Sequence, residues 1–103
     1  MKVEQFLHAN QFHIYSDMQY EQENGEQIDI LQSYDSTVVK ITRENGKKPK
    51  IVLGTDWDYS KTTSTHVFAF LEEYGNITFK TNNKRNEIRK MIQDNKILYD
   101  KNM

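Results

Sequence analysis

The chain changes its hydrophobic period once, and that change restricts it to few folds. From Phe12 to Leu53 apolar residues recur mainly at every second position, as in strands. From Ser60 to Asp94 they recur at three and four, as in helices. Strands gathered before helices predict an α+β domain, with the helices on one face of an antiparallel sheet. Its 103 residues suffice for one core and a single domain, 1–103.

Turn residues divide the two halves. Val3, Phe6 and Leu7 are spaced as a short N-terminal helix that Asn10 ends. Phe12, Ile14, Met18 and Tyr20 then alternate with His13, Tyr15, Asp17, Gln19 and Glu21, and Ile28 and Ile30 repeat the pattern around Asp29. Between these runs Asn24-Gly25 supplies the positive-φ pair of a tight hairpin. Tyr34-Asp35-Ser36 turns into a third strand, Thr37 to Arg43, and Asn45-Gly46 leads to a fourth around Ile51-Val52-Leu53. Pro49 stands at the start of that strand, where its missing N–H costs least. The expected sheet is a four-stranded antiparallel meander, with a short fifth strand as an option, a short N-terminal helix and two C-terminal helices.

Those two helices carry clear signals. Ser60 is a good N-cap, and Thr63, Val67, Phe70, Leu71 and Tyr74 form one stripe suited to covering a sheet. Gly75-Asn76 ends this helix in the left-handed conformation. After a brief extended run, Ile77-Thr78-Phe79, Asn82 or Asn83 caps a last helix to about Asp94, burying Ile88, Met91 and Ile92. Ile97, Leu98 and Tyr99 pack back as a tail. Phe68 falls outside the stripe and is either covered by that tail or an exposed anchor.

Between Trp57 and His66 the hydroxyl density is unusual, since Ser and Thr are poor helix formers. It implies a fixed turn or a hydroxyl-lined contact surface. The run Trp57-Asp58-Tyr59-Ser60-Lys61-Thr62-Thr63-Ser64-Thr65-His66, with Trp57, Tyr59, Ser60, Thr63 and His66 as its marks, resembles a strand-turn-helix signature of small phage, plasmid and other mobile-element proteins. The resemblance is sharp over about residues 50–75. That family has no settled biochemical activity, so the resemblance implies a setting in bacterial mobile DNA. Small proteins of that setting include inhibitors of host defence such as anti-CRISPR proteins.

No catalytic constellation emerges. His8, His13 and His66 lack metal-ligand spacing, and without cysteine no thiol site or disulfide exists. Ser60 and His66 lie six apart on one helix and point to different faces, which disfavours a nucleophile–base pair. His66 reads as structural, bonded to a backbone carbonyl or to Tyr59. Asp56 and Asp58 flank Trp57 without further acids at a suggestive spacing. The expectation is a non-enzymatic protein with no cofactor and no metal. The start has no apolar leader and no run is long enough for a membrane span, which predicts a cytoplasmic protein without membrane contact.

Charge is distributed unevenly. Residues 1–39 carry Lys2 against seven acids, a net −6, and residues 40–103 carry the remaining bases for a net +5. Asp17, Glu21, Glu23, Glu26 and Asp29 would form an acidic ribbon on the water side of the first hairpin. Such a ribbon suits a basic, nucleic-acid-binding channel, as in a Cas9-type effector. The partner is then a host protein or ribonucleoprotein, and the protein an inhibitor that mimics nucleic acid. The alternative is a nucleic-acid-binding accessory protein of a phage or plasmid, touching RNA or DNA through Lys47, Lys48, Lys50, Arg85, Arg89, Lys90 and Lys96. Nothing in the sequence points to an oligomeric state.

Overall fold

A computed structural model describes the backbone of all 103 residues and every side chain except that of His8. In chain order the elements are β1 (Lys2–Phe6), β2 (His8–Tyr15), α1 (Met18–Asn24), β3 (Glu26–Ser33), β4 (Ser36–Glu44), β5 (Lys50–Gly54), a 3-10 turn (Thr55–Asp58), α2 (Lys61–Tyr74), α3 (Lys84–Gln93) and β6 (Leu98–Asp100). The six strands form one sheet in sequence order. Neighbours from β1 to β5 are antiparallel, and β6 joins β5 in parallel. The fold is α+β, with a mixed six-stranded sheet in place of the expected four-stranded meander.

Three local expectations are corrected. The N-terminal helix is strand β1. Phe6 is its one buried residue, and the chain reverses at Leu7 with φ 63°. Three apolar residues in five positions fit either period, and pairing with the edge of β2 decides for the strand. The Asn24-Gly25 turn is the end of α1, where Asp17 accepts from Tyr20 N and Gly25 stops the helix at φ 69°. A left-handed glycine serves a helix C-terminus as well as a hairpin, so the dipeptide did not discriminate. Trp57-Asp58 lies in the 3-10 turn, not a strand, with Trp57 buried and Tyr59 81% exposed.

Elsewhere the sequence pattern holds. Ser60 caps α2 by accepting from Thr63 N, and Thr63, Val67, Phe70 and Leu71 are buried on one stripe. The left-handed residue after α2 is Asn76 (φ 55°), whereas Gly75 keeps φ −96°. Asn83 caps α3, of which Ile88 is fully buried and Met91 and Ile92 half-buried. Phe68 meets Phe79 edge-on at 5.8 Å, so the segment after α2 covers it, not the terminal tail.

The core lies between one face of the sheet and the helices. Phe6, Leu31, Val39, Ile41, Ile51 and Leu53 meet Val67, Phe70 and Leu71 of α2 and Ile88 of α3, with Trp57 and Ile97 completing the cluster. At the end of β5 only glycine fits, because a Cβ on Gly54 would stand 2.3 Å from the Thr37 carbonyl oxygen. Among the described residues, no helix is long and apolar enough to cross a membrane.

Candidate partner-binding surfaces

The acidic run does not form a hairpin ribbon. Asp17 is the α1 N-cap, where the backbone N–H of Tyr20 holds its carboxyl below the usual aspartate range. Its carboxylate also pairs with the N-terminal amine at 3.5 Å. Glu21 and Glu23 ride on α1, and Glu26 opens β3. None of the helix's seven residues is buried, and it carries no base. Glu21 and Glu23 are therefore presented on a short helix that lends little to the core, with Asp17 and Glu26 at its two ends.

Asp29 departs from this group. It is 1% exposed, on the helix-covered face of β3, together with Leu31 and Ser33. The expected facing was reversed, since Ile14 and Ile30 lie on the opposite face of the sheet from Asp29. A buried carboxylate requires partners. His13 supplies one at 2.7 Å through Nε2, and Arg43 donates to the other oxygen. The second ring nitrogen of His13 meets Glu4 at 3.1 Å. Tyr74 and Tyr15 lie against the imidazole at centroid distances of 4.3 and 4.7 Å, and Phe70 meets it edge-on at 5.4 Å.

Bonded through both nitrogens to carboxylates, this ring is best satisfied as an imidazolium. Burial, the largest single influence, disfavours the charge. The hydrogen bonds to Asp29 and Glu4 outweigh it and raise the His13 pKa above 6.5. Burial likewise opposes the Asp29 charge, yet His13 and Arg43 lower its pKa below 3.8. Sequence reasoning missed this cluster. The available signal was parity, because Asp29 and Arg43 share the alternation of Leu31 and Ile41.

The hydroxyl-rich segment acts mainly as a fixed joint. Gln11 Nε2 donates to Ser33 Oγ at 2.8 Å, Ser33 and Thr63 hydroxyls meet at 3.3 Å, and Ser60 Oγ reaches Thr63 Oγ1 at 3.2 Å. This chain ties the start of α2 to β3 and β2. One turn on, Ser64 Oγ accepts from Arg85 of α3 at 2.7 Å. His66 is buried on α2, while Tyr34 and Tyr59 stand exposed beside a shallow groove that Asp35, Asp56 and Thr62 also line.

The basic residues do not converge into one free patch. Asp58 meets Arg89 at 3.0 Å and Arg85 Nε at 3.8 Å, so both arginines face a carboxylate. Lys47 pairs with Glu44 at 2.9 Å. Lys48, Lys50, Lys90 and Lys96 are exposed. Among the ion pairs of the described residues, Arg43–Asp29 alone joins the acidic residues 1–39 to the basic remainder. Direct pairing between the two halves is therefore confined to this one buried ion pair among the described residues.

These features define a small α+β domain with an acidic helix projecting from one hairpin connection. The chain belongs to a family of unknown function, DUF8033, whose model matches residues 1–95. No curated protein and no solved structure matches it.

Proposed function

We propose that this is a non-enzymatic protein that binds and inhibits a basic, nucleic-acid-handling host defence complex, a Cas9-type effector being the expected target. The observation that supports this reading is α1. Asp17, Glu21, Glu23 and Glu26 fall within ten residues that include no lysine, arginine or histidine, with Glu21 and Glu23 on a helix without a buried residue, Asp17 at its N-cap and Glu26 just beyond its end. Seven residues are fewer than the roughly 12–15 an isolated helix needs in water, so α1 is held by its Asp17 and Gly25 caps and by the strands it joins. A negative surface of this kind steers towards a groove lined by arginine and lysine, and excludes nucleic acid from it by like charge. The mobile-element setting suggested by the Trp57–His66 segment fits such a target. Asp29 takes no part, being committed to His13 and Arg43.

The test is the triple change Glu21→Lys, Glu23→Lys and Glu26→Lys, titrated against a purified effector–guide complex. Binding should fall at least tenfold, largely through the association rate, with an unchanged circular dichroism spectrum. Wild-type binding should also weaken as salt rises. Unaltered binding would remove α1 from the interface. Tight binding to free oligonucleotides, lost on changing Lys48, Lys50, Lys90 and Lys96, would establish the accessory-protein reading instead.

A further inference from the structure

The sheet face turned away from α2 and α3 carries a continuous apolar row. Strand register aligns Val3 with Ile14, Ile14 with Ile30, Ile30 with Lys40, Lys40 with Val52 and Val52 with Leu98. The row crosses all six strands and holds five aliphatic residues and one lysine. None of the six belongs to the core cluster or packs against it. Val3 and Leu98 at its ends are 62% and 42% exposed, Ile14, Ile30 and Val52 between them are half-buried, and half-buried Phe12 and buried Ile28 flank the row on β2 and β3. An antiparallel sheet that meets water normally turns polar residues outward, so an aliphatic row there needs a cover.

We infer that this face is covered by a second copy of the chain, stacked sheet on sheet about a twofold axis parallel to the strands between β3 and β4. The row is self-complementary under that operation. Val3 lies over the partner's Leu98, Ile14 over the partner's Val52, and Ile30 over the partner's Lys40. Every position then meets an aliphatic group, because the four-carbon stem of Lys40 covers Ile30 while its amine reaches outward to water. Aligned stacking of this kind is a common way for two sheets to pack. The near absence of charge in the row favours such a partner over nucleic acid, which needs cations and stacked aromatics.

The available area agrees. Strands of five, eight, eight, nine, five and three residues, at about 3.3 Å per residue and about 4.8 Å per strand, give a footprint on the order of 600 Å² per copy. Two copies would bury about 1,200 Å², the lower bound for a specific interface, so a weak, reversible dimer is expected. This inference is independent of the reading of α1.

Sedimentation equilibrium and crosslinking on the full chain test it. Wild-type protein should pass from monomer to dimer below millimolar concentration, and Ile14→Glu with Ile30→Glu should leave only monomer. Should that variant not fold, a second measurement decides. The chain has no cysteine, so Val3→Cys and Leu98→Cys introduce the only two. In one copy they lie about 24 Å apart across the sheet, but face each other across the twofold at about 10 Å. A bismaleimide spanning about that shorter distance should give covalent dimer with the double variant and little with either single variant. Wild-type protein that stays monomeric at millimolar concentration, or single variants that crosslink as well as the double, would overturn the proposal.

Discussion

At the scale of the residue, the buried His13 couples the stability of the fold to pH near neutrality. Its ring joins Glu4 of β1 to Asp29 of β3, and Arg43 of β4 completes the set. Tyr74 of α2, whose hydroxyl is pushed up to about 12 chiefly by burial, keeps its proton through neutral pH and adds no slope there. A pKa raised in the folded state contributes stability fully below 6.5, lost as pH rises through the folded value. Asp29, lowered from 3.8, contributes stability above that value and loses it as pH falls further. The urea midpoint should therefore be highest between these limits and fall on the alkaline side of 6.5. In His13→Gln the alkaline slope should vanish. A slope unchanged in that variant would mean that another group titrates.

At the scale of the element, α1 shows why part of the fold was legible and part was not. Strands β3, β4 and β5, the capped start of α2 and the approximate span of α3 follow from alternation, caps and glycine positions, although the alternation in β3 pointed its residues to the wrong face. The α1 region admitted two readings, because Met18 and Tyr20 fit a strand while Asp17 and Gly25 fit helix caps. Once α1 forms, Met18 is left 73% exposed, so burial did not reward the alternation. The Asp29 cluster stayed hidden for a different reason. Isoleucines on both sides of an aspartate point to the wrong face unless its partners on β2 and β4 are known. The surfaces were legible as charge and not as geometry, since pairing of Arg85 and Arg89 with Asp58 crosses sequence distances that no period reports. The cap itself is testable. Nothing lies within 4 Å of a Cβ built on Gly25, so Gly25→Ala meets no clash and costs only its positive φ. The expected loss is about 1 kcal/mol in chemical denaturation.

At the scale of the molecule, the sheet is completed by residues beyond the family match. That match covers residues 1–95, whereas Ile97 is 1% exposed in the core and β6 covers the edge of β5. The chain reaches that edge by way of two helices, which is why β6 can run parallel to β5 when every other pairing is antiparallel. Removing residues 96–103 should do two separable things. Loss of the Ile97 side chain should cost about 2–5 kcal/mol, a large share of the 5–15 kcal/mol typical of a domain. Loss of β6 should also leave Val52 and Leu53 beside an open strand edge, which invites intermolecular pairing. Ile97→Ala should reproduce the first effect alone, lowering the urea midpoint without aggregation. If truncation and Ile97→Ala prove equal in both stability and solubility, β6 contributes nothing beyond the residue that precedes it. If truncation is the more soluble, the β5 edge is already protected by other means.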